Sequence, residues 1–345
     1  MKHINIPIFI PHLGCPNQCI FCNQKIISGT QVFCEDEVER KIDEVLAFVN
    51  KQDECEIAFF GGSFTGIDVN LMIRLLDKAQ EYVDKKLVKS IRMSTRPDYI
   101  TKEIITILKN YTISYVELGI QTMNDEVLKL LKRGHTVADT VRATELLNEA
   151  KIKFVGQMMV GLPGSNNEDE KHCAEQICKL GAKASRIYPT IVFKNTELEE
   201  LMRIGQYAPL SLEDAVERSA NLLEIFEKNN VKCIRIGLCE SDNLHSIETY
   251  VAGPNSPSIG EMVKGKLFYN IICEKLKNNT INTKKLYIYC PIGKSSQIIG
   301  HKKTNIISLK KLFLFDEIVV LENNKLEKYD IFLSEKEENH AFKIS

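Results

Sequence analysis

The chain has no tryptophan, almost no net charge and no long hydrophobic run. Lys and Arg number 45 against 46 Asp and Glu, a formal net charge of −1, which excludes a partner recruited by overall charge alone. No apolar stretch reaches the length needed to cross a bilayer, so no membrane partner is expected. The opening MKHINIPIFIPHLG has too short an apolar run for a secretory signal, and no small-residue cleavage site follows. Low-complexity tracts and internal repeats are absent. Eleven cysteines, an odd number at irregular spacings, do not make the framework of a small secreted scaffold. A reducing compartment is expected, the cytoplasm. What is present is an ordinary globular composition. The 345 residues are 44% hydrophobic, enough to bury the core of one large domain, or of one plus a small one.

Strand and helix alternate along the chain. Residues 3–10 alternate apolar and polar, then run apolar, which predicts a first strand. A helix is predicted over 35–51, with acids in its first turn suited to the positive end of its dipole. CEIAFFGG (55–62) predicts a buried strand, VNLMIRLLDKAQEYVDKK (69–86) a helix, KSIRMSTRP (89–97) a strand and TKEIITILKN (101–110) a helix. SYVELGIQT (114–122) is a fourth strand. Thr136 opens a helix with Asp139 three residues on, a capping-box spacing. KFVGQMMVGLPG (153–164) and ASRIYPT (184–190) are further strands; residues 211–230 predict a helix and 231–237 a late strand. This alternation predicts an α/β fold, a parallel sheet with helices outside. In βα units, chemistry gathers at the C-terminal strand ends. The unusual residues all fall there: the cysteines, GGSFTG (61–66), STRP (94–97), the Gln121 turn and GLPG (161–164).

Cys15, Cys19 and Cys22 stand in a C-x3-C-x2-C spacing within HLGCPNQCIFCN. Three thiolates suit three corners of a [4Fe–4S] cube, leaving the fourth iron open. Structural zinc is the competing reading; it wants four ligands, with Cys34, Cys55 or His12 completing the set. Cys173, Cys178, Cys233, Cys239, Cys273 and Cys290 lie in apolar or helical contexts and read as small buried hydrophobes. Gly61-Gly62 permits a tight bend and close approach to a ligand. Arg96 has a ready partner in Asp98. Gln121 offers both a donor and an acceptor at a strand end. Arg133 offers a planar fork suited to a carboxylate. Glu117 points opposite to Leu118, toward the inside of a barrel. His135 reads as a structural, hydrogen-bonding histidine rather than a general base.

The cysteine stretch closely resembles the signature of the radical S-adenosylmethionine (SAM) superfamily, with Phe21 where that family places an aromatic before the last cysteine. The resemblance implies an open, partial (β/α)6 barrel. It implies that the open iron chelates SAM, and that an electron from the cluster splits SAM into methionine and a 5′-deoxyadenosyl radical. A flavodoxin- or ferredoxin-type electron donor follows as a partner. Gly61, Gly62 and Ser63 then meet the methionine amino group, with Ser63 where many members have Glu. By similarity to the oxygen-independent coproporphyrinogen oxidase branch, Gln121 and Arg133 contact SAM. STRPDYI, VELGIQT, RGHTVADT, GLPGS and YPTIVFKNTEL, spanning about residues 55–225, resemble one branch in particular. That branch is the radical SAM domain of the catalytic Elongator subunit, which modifies wobble uridines in transfer RNA (tRNA). The subunit spaces its cysteines more widely, has an RNA-binding N-terminal extension, and ends in an acetyltransferase domain. Residues 265–345 are too few for such a domain, so its acetyl-CoA step is not expected here.

AGPNSPSIGEM (252–262) reads as a Gly/Pro-rich connection. A strand, two helices about His301-Lys302-Lys303-Thr304 and a strand follow. They resemble the core of a KH RNA-binding module, with Lys303 where the G-x-x-G loop has its second glycine. Residues 284–315 hold seven lysines and no acids, so Lys302 and Lys303 are candidate phosphate contacts; a capping subdomain with a solvated basic face is the alternative. The expected organisation is a radical SAM partial barrel over 1–240, a connecting loop over 241–264 and a small basic α+β (KH-like) subdomain over 265–345. The expected function is SAM cleavage in tRNA modification. The alternatives are a radical SAM enzyme acting on a small molecule such as a tetrapyrrole, and a non-catalytic metal-containing RNA-binding protein.

Overall fold

The computed structural model describes residues 3–11, 13–15, 18–23, 32–50, 53–238, 248–279 and 281–338. Two compact units emerge: Met1–Ala215 with Ile225–Asn255, and Val216–Glu224 with Ser256–Ser345.

The first unit is built on seven strands: β1 (His3–Ile10), β2 (Glu54–Gly61), β3 (Ser90–Thr95), β4 (Ile113–Gln121), β5 (Phe154–Val160), β6 (Ala184–Pro189) and β8 (Lys232–Ile236). They lie side by side in that order and all run parallel, a curled half-barrel. Crossover helices join them: α1 (Val38–Leu46), α2 (Val69–Asp84), α3 (Lys102–Leu108), α4 (Asp125–Leu130), α5 (Val137–Glu149), α6 (Asn167–Lys179) and α7 (Glu197–Arg203); α8 (Leu212–Lys228) precedes β8, and its middle, Val216–Glu224, belongs to the second unit. A two-stranded ribbon, β7 (Val192–Phe193) with β9 (Tyr250–Ala252), lies outside the main sheet.

The strand sequences explain the layering. Alternate residues point to opposite faces. One face is apolar and buried: Ile6, Ile8 and Ile10, then Ile57 and Phe59, Ile91 and Met93, Val116, Leu118 and Ile120. Helix residues such as Met72, Leu75, Leu108, Leu147 and Ile177 complete this core. At Gly156 the helix comes so close that a Cβ would strike Ile177 of α6. The other face carries Glu56, Arg92, Glu117 and Arg186, all buried, with Gln157 half-buried among them.

Register brings the strand ends level. Ile10 pairs with Gly61, Thr95 with Leu118, Gln121 with Met158 and Val160 with Pro189. The cysteine loop therefore leaves the sheet beside GGSFTG, on the edge from which STRP and the Gln121 turn also project.

Several elements depart from the sequence reading. The helix expected over 35–51 starts as a 3-10 turn at Glu35–Glu37 and ends at Leu46, leaving Phe48 in solvent. Thr136 and Asp139 do close a reciprocal capping box. Cys178 and Cys233 are half-buried rather than buried; Cys173, Cys273 and Cys290 are buried, and Cys239 lies outside the described residues. So do His12 and the expected domain boundary after residue 240. The connection over 252–262 is shorter than expected, because helix α9 (Ile259–Asn278) begins within it.

The second unit contains α9, β10 (Lys285–Cys290), α10 (Ser295–Ile299), α11 (Thr304–Phe313), β11 (Glu317–Glu322) and β12 (Phe332–Ser334). β10 is central, parallel to β11 and antiparallel to β12. Phe268, Ile272, Leu286, Ile288, Ile298 and Leu309 form its core.

Candidate metal centre

Two glycines fix how the cysteine loop meets the sheet edge. Gly14 has φ +70°, and a Cβ on it would run into the Ser63 carbonyl; a Cβ on Gly62 would run into the Leu13 carbonyl. The two backbones cross in contact, and Ser63 N–H donates to Leu13 O at 3.2 Å. Ser63 Oγ lies 2.8 Å from Thr95 Oγ1 and accepts from Arg96 N–H at 3.2 Å. Thr65 Oγ1 lies 2.6 Å from the same threonine hydroxyl. Ser63 thus ties three strand ends together, a wider part than the ligand contact that the resemblance implies. Gly61 allows the bend with φ +109°.

The far end of the loop is anchored too. Ile20 N–H donates to Leu131 O (3.3 Å) and Ile20 O accepts from Leu198 N–H (2.8 Å). The Ile20 side chain is buried among Val127, Leu131, Leu162 and Leu198, with Phe21 packed against this group. Cys22 N–H closes a turn on Cys19 O at 3.0 Å.

Cys15 and Cys19 sit between these anchors, and Cys22 just beyond the second. Cys19 is buried, and Arg133 Nη1 donates to its sulfur at 3.3 Å. Arg133 Nη2 donates to Gly119 O at 2.8 Å. Gly119 is the floor on which Arg133 and Gln121 meet, since a Cβ there would come 3.0 Å from both side chains. Gln121 ends β4 with φ +67°, and its Oε1 is buried with no hydrogen-bond partner. Burial pushes the Cys15 thiol up; the Arg133 charge is the largest opposing influence, Cys19 adds to the rise, and Ser63 N–H and Arg96 oppose it. Arg96 is held by Asp98 through two bonds of 2.9 and 2.8 Å.

This donor set fits an iron–sulfur cluster and a zwitterionic ligand. Three soft thiols share a loop fixed at both ends, a guanidinium faces one of them, and a buried acceptor stands unused beside it. Residues 16 and 17 of the loop lie outside the described residues. Among the described residues, no three His, Cys, Asp or Glu side chains are gathered as they would be around a metal ion. Cys34 is exposed, and Cys55 lies near the opposite end of the sheet, paired with Ile4, about 20 Å along the strands from Ile10. Cys55 is thus in no position to complete a zinc site with the loop.

His135 is buried, and desolvation, then the Arg133 and Arg96 charges, hold its pKa down to about 3; Asp139 and the Ile120 carbonyl act the other way. The ring is neutral at neutral pH, and with so low a pKa it is too weak a base to be suited to general-base work there. Its folded pKa lies below the unfolded value of about 6.5, so the unfolded chain takes up the proton first as pH falls. Stability is therefore lost as pH drops below about 6.5. Between pH 6.5 and 4.5 this residue is expected to remove about 2 kcal/mol. His135→Gln should lack that slope in urea unfolding across the range; equal slopes in the two proteins would discard this reading.

Glu117 lies on the inner sheet face, as its alternation with Leu118 predicts, but sequence reasoning missed the charged belt around it. Glu117 accepts from Arg186 Nη2 (2.7 Å), Gln157 Nε2 (2.7 Å) and Arg92 Nη1 (3.3 Å). Arg92 Nε lies 3.0 Å from Glu56, and Arg186 Nη1 reaches Tyr188 Oη at 3.1 Å. The available signal was ionisable residues at alternating positions of otherwise apolar central strands. Lys302 and Lys303 belong to the second unit. Both are exposed, at φ +51° and +63°. Lys303, where the resemblance places a glycine, holds the left-handed backbone that glycine favours.

Comparison with known proteins supplies the context. A model of the Radical SAM superfamily matches residues 9–177, and one of the Radical_SAM C-terminal domain matches 182–268. The tRNA uridine(34) acetyltransferase of Methanocaldococcus infernus is 30% identical over 51% of this chain and 37% of its own length. That of Methanocaldococcus jannaschii is 28% identical over 66% of this chain and 44% of its own. The chain thus spans less than half the length of these curated relatives. Among solved structures, the archaeal Elp3 of Methanocaldococcus infernus, with its N-terminus deleted, superposes with a TM-score of 0.61 at 25% identity. That match covers 79% of this chain and 63% of the other. No helix among the described residues is long and apolar enough to cross a membrane.

Proposed function

We propose that this chain, which belongs to the radical SAM superfamily, cleaves SAM reductively at a cluster held by Cys15, Cys19 and Cys22 and acts in tRNA modification. The cofactors are those of the family, a [4Fe–4S] cluster and SAM. Bound together they supply reductive cleavage of SAM to methionine and a 5′-deoxyadenosyl radical. The observation that carries the reading is the doubly anchored thiol loop beside Arg133 and the unpaired Gln121 Oε1.

This chain's own groups have separable tasks. Ser63 and the two close-packed glycines hold the loop against the sheet edge. Arg133 sets a fixed positive charge beside both Cys19 and Gln121, where an amino-acid carboxylate would be bound. Gly61 and Gly62 leave backbone room for that ligand's amino end. A flavodoxin- or ferredoxin-type protein would donate the electron, and the cytoplasm would keep the cluster reduced.

The test is iron content and electron paramagnetic resonance of anaerobically reconstituted protein, with and without SAM, followed by assay of 5′-deoxyadenosine. About four irons per chain and a reduced signal that shifts with SAM are expected. Zinc in place of iron would overturn the reading.

For the substrate, support comes from the tRNA named in the relatives and from the seven lysines, without an acid, over 284–315. Lys302 and Lys303 would contact phosphate. Lys302→Glu with Lys303→Glu is expected to weaken tRNA binding about tenfold or more and to flatten the log–log salt slope by about 2. Unchanged affinity would remove the turn from the interface, and no tRNA binding by the parent chain would favour a small-molecule substrate.

A further inference from the structure

The C-terminal end of β3 carries a second guanidinium beside the thiol loop. The Arg96 side chain is 4% exposed. Asp98 takes its Nε and Nη2 edge, and the ring of Tyr99 lies 5.7 Å from its central carbon. Its backbone N–H is fixed by Ser63 Oγ, the residue whose own N–H is bonded to Leu13 two positions before Cys15. Nη1, on the side away from the bidentate edge, is buried and has no hydrogen-bond partner. An unmet donor on a buried cation is costly in a finished core, and such sites point to a group that arrives later.

We propose that Arg96 is a positioning residue for the cluster. Locked by Asp98 and Tyr99, it sets a free N–H and a buried charge at the strand end that Ser63 ties to the thiol loop, and stabilises the reduced state. This rests on the assignment of the cluster to Cys15, Cys19 and Cys22. The electrostatic neighbourhood agrees: the Arg96 charge opposes the rise of the Cys15 thiol, the two sulfurs favour the Arg96 cation, and Arg96 acts on His135. Reduction adds one electron, delivered by a one-electron donor protein, and releases no group. A fixed cation in a low-dielectric site favours the more negative cluster. Arg133 already bonds to the Cys19 sulfur. The thiolates would thus be flanked by two cations, one shared with the SAM site and one dedicated to the cluster.

The test is an EPR-monitored redox titration of the reconstituted full chain without SAM, for the parent, Arg96→Gln, Arg96→Lys and Asp98→Asn. Arg96→Gln is expected to bind the full complement of iron but to be reduced about tenfold less readily, a downward shift of about 59 mV in midpoint potential. Arg96→Lys keeps the charge and should recover most of that shift. Asp98→Asn removes the neutralising partner and should move the potential upward, an independent readout if Arg96→Gln does not fold. An unmoved potential in a fully loaded Arg96→Gln protein overturns the proposal. So do equal shifts in the Gln and Lys variants. Failure of the parent chain to hold any iron is a different result, and rejects the cluster assignment itself.

Discussion

Replacing Cys19 with alanine is expected to abolish iron binding, from about four irons per chain to near zero, and 5′-deoxyadenosine formation with it. The cube needs three protein thiolates to leave one iron open, and two leave a second iron without a protein ligand. Cys19 is the most consequential of the three because it is the buried one and the sulfur to which Arg133 donates. Its loss also strands a buried guanidinium donor, which costs about 1–3 kcal/mol on top of the lost cluster. Arg133 keeps its bond to Gly119 O, so the fold should survive and the apoprotein should remain measurable. Cys15→Ala and Cys22→Ala should show the same loss of iron with smaller changes in melting temperature, since both thiols are only half-buried. Cys34→Ala is the control: its thiol is exposed and outside the C-x3-C-x2-C run, and its iron content should equal that of the parent. Iron and sulfide assays on the four variants decide the matter. A Cys19→Ala protein that still holds a SAM-responsive cluster would mean that the ligands lie elsewhere.

What the sequence made legible follows from where physical constraints are local. Strand alternation is local, so β1 to β6 and β8 were readable. The thiol spacing is local, as is the capping box at Thr136 and Asp139. Helix α9 escaped notice because its apolar residues do not form one stripe. Val263, Gly265, Leu267, Phe268, Ile272 and Leu276 are all buried, and Gly265 is kept small by the Gln297 carbonyl 3.0 Å from where its Cβ would be. No single-face periodicity survives such all-round burial. The partnership of Ser63, Thr95 and Arg96 depends on register between strands more than thirty residues apart, which no local pattern encodes. The inner belt is the clearest case. Glu117 was readable as inward-facing, but Arg92 and Arg186 sit at alternate positions of their strands, as solvent-facing residues would. Only the curl of the sheet turns that face inward.

Glu117→Ala is expected to cost about 3–5 kcal/mol of folding stability, the largest effect of any single change outside the thiol loop. Glu117 is 0% exposed, and its two oxygens take donors from β3, β5 and β6 at once. The carboxylate balances Arg186, which is also stacked 5.6 Å from the Phe60 ring centre, and shares Arg92 with Glu56. Removing it takes from Arg186 the carboxylate it donates to at 2.7 Å, and breaking one side of a buried pair costs more than the pair contributes. Glu117→Gln should fall between parent and Ala. The amide keeps one acceptor but turns its NH2 toward the donors of Arg186 or Gln157. Arg186→Met combined with Glu117→Leu should recover part of the loss, because deleting both charges removes the desolvation penalty along with the attraction. Urea unfolding of the single and double variants gives the coupling energy directly. A coupling of several kcal/mol would assign the belt to holding β3 through β6 in their curl. Additive losses would mean that each side chain is satisfied independently, and that the inner face is set by the apolar core behind it.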